Sequence, residues 1–235
     1  MAGWVELHAH SAYSFLDGAS SVDDLADAAV EQGLDALALT DTSGLYGAVR
    51  FANAAKERGL RPIFGAELQL QDMGHLVLIA RDRQGWTSLC RTISAAQLAG
   101  EKTKPKATFE LLAENAAGLF ALTGCAHGAV PRAVRAGDLD TAREALARIA
   151  AVFGDRLYVE LSDHLDPDAP ALCDALASLA GEMGLGCVVT NNVHYARPEG
   201  RRLHDVLRCI DLGVGQGPLD SADLRIHCSP GPSWR

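Results

Sequence analysis

Short apolar runs alternate with longer stretches of helical periodicity along most of this chain. That alternation limits the fold to an α/β architecture of βα repeats with parallel strands. Val5–His8, Ala36–Thr40, Arg61–Leu70, Leu76–Ala80, Leu119–Thr123, Leu157–Leu161 and Cys187–Thr190 read as strands, the last three as buried ones. Between them the spacing predicts helices from Ser21 to Gln32, from about Gly47 to Arg58, and through about Leu98. Further helices are expected over Leu139–Phe153, Ala169–Met183 and about Pro198–Leu212. Ser21 with Asp24 has the spacing of a capping box, and Gly33 and Gly59 are natural stops. Gly100–Lys106 reads as a polar loop. Seven strands with intervening helices suit a barrel better than an open sheet, although periodicity alone does not choose between them.

At 235 residues the chain is long enough for one domain with its own core, and residues 1–212 are expected to form it. From Gly213 to Arg235 the chain is rich in Gly, Pro and Ser and has no periodicity, so we expect an irregular tail, the remnant of something longer. A formal net charge of −9 disfavours non-specific nucleic-acid binding by the domain as a whole. There is no basic-apolar leader and no apolar run of bilayer length, which implies a cytoplasmic protein without membrane contact. Six scattered cysteines without a CxxC pair imply reduced thiols.

Chemistry concentrates at the ends of the predicted strands. His8 and His10 lie two apart in an extended run, so both side chains leave the same face and can reach one cation. A histidine pair alone is more often structural. Its company raises its weight: Asp17 in a Gly-containing turn, Glu67 among small and apolar residues, His75 opening the fourth strand, Cys125 closing the fifth, and His194 after the last. A buried Glu67 demands a cationic partner. His127, His164, His204 and His227 lack partners at ligand spacing and read as structural or solvent-facing. Cys90, Cys173, Cys187 and Cys209 read as small core residues, and Lys102, Lys104 and Lys106 as a solvated loop.

The stretches ELHAHSAYSFLDGAS, ALALTD, GLYGAVRFANAA, FGAEL, HLVLIARD, AAQLAGEK, LTGC, GAVPRA and TNNVHYA run in order from Glu6 to Ala196. Through them the chain resembles the PHP (polymerase and histidinol phosphatase) domain family, in the form found at the start of error-prone bacterial polymerases of the replicative alpha-subunit type. The resemblance implies a distorted seven-stranded (β/α) barrel with a metal cluster at its C-terminal mouth. It implies phosphoester hydrolysis of the 3′–5′ exonuclease or phosphatase type, with two or three zinc or manganese ions. The family's ligand positions fall on His8, His10, Asp17, Glu67, His75, Cys125 and His194, of which His8, His10, Glu67 and His194 carry the chemistry. Two positions depart: Thr42 stands where the family has histidine, and Asn192 where it has aspartate. Their neutral oxygens are weaker donors. Arg197 is a candidate phosphate contact. The resemblance further implies a polymerase core as partner, with DNA reached through that core. A free-standing phosphoesterase and a non-catalytic scaffold with a degenerate site are the competing readings.

Overall fold

The computed structural model describes residues 3–102, 104–164 and 166–213, so the tail expected after Gly213, with His227 and Cys228, lies outside the described residues. In chain order the elements are β1 (Val5–Glu6), α1 (Val22–Glu31), β2 (Ala36–Leu39), α2 (Ala48–Arg58), β3 (Arg61–Leu70), β4 (Gly74–Ala80) and α3 (Arg83–Ala99). They continue with α4 (Phe109–Glu114), β5 (Leu119–Leu122), α5 (Ala129–Arg135), α6 (Leu139–Phe153), β6 (Leu157–Leu161), α7 (Ala169–Glu182), β7 (Gly186–Val189) and α8 (Arg201–Leu212). The capping box at Ser21 forms as expected, its side chain accepting from the Asp24 amide while Asp24 accepts from the Ser21 amide. The short helices α4 and α5 have too few turns to show a period and were not anticipated.

All seven strands form one sheet in sequence order, β1 to β7. Its ends are drawn together by a parallel bridge, in which the His10 amide donates to the Val193 carbonyl at 2.7 Å and the Val193 amide to the His8 carbonyl at 2.9 Å. The result is the distorted barrel, with His8, His10 and Asn192 beside its seam.

Two expectations are corrected. The sheet is not wholly parallel, since β4 runs antiparallel to both β3 and β5. The connection Gln71–Met73 is too short for the crossover that a parallel return requires. As a consequence His75, at the start of β4, arrives at the same end of the sheet as Glu67, near the end of β3. Nor is β7 buried: Gly186, Cys187 and Val189 are exposed, so Cys187 is not a core residue. The five described cysteines are all free thiols, and no described helix is long and apolar enough to cross a membrane.

Period-two alternation sorts the strands into an outer and an inner face. Outward-facing Leu68, Leu78, Leu119, Ala121, Leu157 and Val159 pack with the helices in one large cluster, and Leu37 and Leu39 join α1 and α2 in another. On the inner face Val77, Ile79 and Leu122 form a small apolar plug with Ile63, Phe120, Tyr158 and Val188. The same parity carries each inner row upward from apolar to polar: Ile63 to Glu67, Val77 to His75, Tyr158 to Glu160, Val188 to Thr190. A dry floor therefore carries a ring of polar side chains.

Gly124 links β5 to that ring. Its φ is +81°, and a Cβ there would stand 2.4 Å from the His75 carbonyl oxygen. Gly124→Ala is expected to lower stability by about 1–3 kcal/mol through overpacking and positive φ. Chemical denaturation of the metal-free chain measures it, and an unchanged midpoint would show that this backbone contact is not needed.

Candidate metal centre

The strand ends that carry the donors are held in register by side-chain bonds. Thr40 Oγ1 accepts from the Ala9 amide and donates to the Ala9 carbonyl, while the Glu67 amide donates to the Thr40 carbonyl. The loop after β1 is fastened to the loop after β7: the Ala19 amide donates to the His194 carbonyl, and the Ala196 amide to Ser20 Oγ. Within that loop a Cβ on Gly18, the residue after Asp17, would lie 1.9 Å from the Ser11 carbonyl oxygen, so this close backbone approach tolerates only glycine there. Asp17 Oδ1 thereby comes within 3.3 Å of His194 Nδ1.

Three donor groups result, each with atoms within 4.8 Å of one another: His8, His10 and Glu67; His10, Asp17 and His194; Glu67, His75 and Cys125. All seven donors expected from the sequence are thus brought together. His10 belongs to two groups, and so does Glu67. Glu67 divides its oxygens, Oε2 facing His8 Nε2 at 3.4 Å and Oε1 facing His75 Nδ1 at 3.2 Å.

The hydrogen-bond network assigns the imidazole tautomers. His8 Nδ1 donates to Glu160 Oε1 at 2.6 Å. Ser14 gives its only proton to Asp41 at 2.8 Å and accepts from the Thr42 amide, so its remaining lone pair accepts from His10 Nδ1 at 3.0 Å. Both Nδ1 atoms are therefore donors, and the two Nε2 atoms face each other across 3.0 Å, beside a carboxylate. His8 Nε2, His10 Nε2 and Glu67 Oε2 converge on one buried point, where a proton on His8, or a divalent cation that displaces it, can be held.

Charge state follows the same geometry. Burial opposes a charged His8, but Glu160 and Glu67 outweigh it and lift its pKa to about 10. His10, also fully buried, is pushed down to about 3 by desolvation. Burial also works against ionised Glu67 and Asp17, yet His75 and His8 hold Glu67, and His194 holds Asp17, well below the usual carboxylate range. Burial, aided by the Glu67 charge, pushes the Cys125 thiol well up, so a cation must displace its proton to use the sulfur. Asp41 rises to about 6 through desolvation.

Of the two departing positions, Thr42 touches a donor directly. Thr42 Oγ1 is 3.4 Å from His10 Nδ1. Asn192 is nearly buried, with φ +44°, and its Oδ1 has no hydrogen-bond partner among the described residues. An orphaned buried oxygen two residues before His194 is open to a cation.

Arg197 is placed elsewhere. It forms a two-pronged surface pair with Glu31, both contacts 2.6 Å. The guanidinium beside the cluster is that of Arg208 on α8, 3.9 Å from Asp17 and 3.0 Å from Asp211. His204 and His127 also pack at the mouth, their rings 5.1 Å from His194 and 5.4 Å from His75. Burial, with the charge of His194, depresses His164. Sequence reading missed the roles of Glu160, Asp41, Ser14 and Arg208. Asp41 alone carried a signal, as a carboxylate immediately after an apolar strand.

Among known proteins, the PHP domain family matches residues 6–164. The error-prone DNA polymerase of Mycobacterium tuberculosis is 43% identical, covering 94% of this chain and 22% of its own length. That of Symbiobacterium thermophilum is 43% identical over 88% of this chain and 21% of its own. The DNA polymerase III subunit alpha of Thermus aquaticus is 37% identical over 88% and 18%. The chain thus spans about a fifth of the length of these relatives. Two solved structures share the fold. An amidohydrolase from Chromobacterium violaceum, with bound sulfate and no metal, has a TM-score of 0.58 at 18% identity, covering 81% of this chain and 87% of that one. A metal-dependent phosphoesterase, so described, from Bifidobacterium adolescentis scores 0.56 at 16% identity, covering 98% and 97%.

Proposed function

Because the chain belongs to the PHP domain family, we propose that it is the PHP module of an error-prone DNA polymerase, with a metal-dependent phosphoesterase centre weakened at two positions. The observation that carries the metal reading is the meeting of seven donors in three overlapping groups, with His8 Nε2 and His10 Nε2 3.0 Å apart beside Glu67. In this reading His8, His10 and Glu67 hold one divalent cation, and Glu67, His75 and Cys125 hold a second. Asp17 and His194, with His10, form the third set, the one that lacks an imidazole at Thr42. The imidazole, thiol and carboxylate donors suit zinc or manganese.

Divalent ions in such a cluster stabilise charge on phosphate oxygens and make water nucleophilic at neutral pH. The chain's own residues position and shield the reacting group. The plug of Val77, Ile79 and Leu122 closes the floor against water. Arg208, on the helix beside Asp17, offers a guanidinium to a phosphate oxygen from the same side as the third donor set. The relatives named above lead us to assign a polymerase core as partner, DNA reached through that core, work in replication and repair synthesis in the cytoplasm, and exonuclease-type cleavage of a phosphodiester. Thr42 and Asn192 support a second reading, in which the barrel acts mainly as a metal-stabilised scaffold for the polymerase.

Metal content of the purified chain by elemental mass spectrometry, beside hydrolysis of a generic phosphodiester with added manganese or zinc, tests the proposal. One or two ions per chain and slow turnover abolished by His10→Ala are expected. A chain that stays metal-free in excess zinc and manganese would overturn it. Bound metal without turnover would leave the scaffold reading.

A further inference from the structure

The inner face of β6 carries an oddity. Glu160 follows Tyr158 on the row that faces the barrel interior, with its side chain fully buried. A carboxylate so deep is costly to bury unless something nearby makes use of it. Its backbone amide is tied to Thr123 Oγ1 at 3.0 Å, which locks β6 against the end of β5. Its Oε1 accepts from both His8 Nδ1 and Thr190 Oγ1, while its Oε2 has no hydrogen-bond partner among the described residues. Thr190 is itself 3.1 Å from Ser162 Oγ, so the carboxylate is braced from β7 as well.

Glu160 belongs to none of the three donor groups, and it touches the cluster through His8. We propose that Glu160 is the positioning residue of the metal centre: it fixes the His8 ring with Nδ1 as donor, so that Nε2 is the atom that meets a cation beside His10 and Glu67. Without it, the His8 ring is free to take the other tautomer, which would point an N–H into the donor set. His10 is held in the same sense by Ser14, which hands its proton to Asp41. The two halves of the histidine pair thus have separate supports, one reaching across the barrel from β6 and one from the loop after β2. A carboxylate behind a metal-binding imidazole also raises the donor strength of the ring.

This inference rests on the metal reading above, and the test separates the two. Zinc affinity of the full 235-residue chain is measured by competition with a chromophoric chelator for wild type, Glu160→Ala and Glu160→Gln. Because partners of this kind contribute roughly 10–100-fold to metal affinity, Glu160→Ala is expected to weaken zinc by that factor. Glu160→Gln keeps an acceptor for His8 Nδ1 without the charge, so it is expected to recover part of the loss. Spectra of chain carrying ¹⁵N-labelled histidine report the His8 hydrogen bond itself, read beside the stability of each variant. An exchange-protected His8 Nδ1–H signal is expected in metal-free wild type and in Glu160→Gln, and its loss in Glu160→Ala. Denaturation of the metal-free variants separates a folding defect from a binding one. Zinc bound equally by all three chains overturns the role of Glu160 alone, as does a His8 signal that persists in Glu160→Ala. No zinc binding by wild type overturns the metal reading and this inference with it.

Discussion

Glu67→Gln will strip the chain of most of its metal while leaving the barrel folded. Glu67 is the one carboxylate that serves two donor groups, with Oε2 toward His8 and Oε1 toward His75. Losing a residue that only hydrogen-bonds a ligand costs roughly 10–100-fold in metal affinity. Losing the charge of a donor shared by two groups is therefore expected to exceed about 100-fold, and hydrolysis should fall below detection. The fold survives because glutamine has nearly the same shape and its side-chain oxygen can still accept from an imidazole that now donates to Glu67. Elemental analysis and a chelator titration check the metal. If Glu67→Gln binds zinc as tightly as wild type, the carboxylate is not a ligand.

The same substitution has a signature in acid. The folded pKa of Glu67 is depressed, so its ionised form contributes stability above the ordinary carboxylate pKa, and that contribution is lost as pH falls through the folded value. The metal-free variant lacks this titration. Its stability should therefore decline less steeply than that of wild type as pH drops below about 4.5, the ordinary value for glutamate.

Thr42→His with Asn192→Asp works in the opposite direction. Asn192 already holds a nearly buried oxygen without a hydrogen-bond partner among the described residues, and its φ of +44° suits aspartate nearly as well as asparagine. The backbone is thus ready for a carboxylate. Thr42 sits beside His10, and its amide is fixed by Ser14, so an imidazole there starts from the edge of the third donor group. The double variant is expected to bind about one more ion per chain than wild type. Its phosphodiester hydrolysis should rise at least about tenfold, equivalent to about 1.4 kcal/mol in the barrier. Without metal it should be less stable than wild type, because Asn192→Asp adds a charge at a nearly buried position. Metal content no higher than wild type would mean that these positions are not ligand positions in this chain.

These outcomes bear on how much was legible in the chain itself. His8 and His10, two apart in an extended run, declare a common face whatever the sheet around them does. Glu67 among small residues, and His75, Cys125 and His194 at the ends of apolar runs, announce donors at strand ends, and all seven do meet. Seven strands and the main helices were also readable, since each shows its own local period. What a period reports, however, is which residues share a face. It does not tell which strand lies alongside or in which direction it runs.

Tertiary structure decided the rest. The short turn Gln71–Met73 reverses β4, and only that reversal brings His75 to the end of the sheet where Glu67 lies. The bond from His8 to Glu160 joins residues 152 apart in sequence, and the relay from His10 through Ser14 to Asp41 spans 27 at its second step. No local pattern encodes either, yet they settle which nitrogen of each ring faces the centre. Arg197 and Arg208 look alike in sequence, but one is fastened to Glu31 at the surface and the other stands beside Asp17. The sequence alone determined which residue types come together and on which strands. Direction, tautomer and the choice of arginine depend on hydrogen bonds and ion pairs between distant segments, and those exist only once the sheet has curled and joined at Ala9 and Val193.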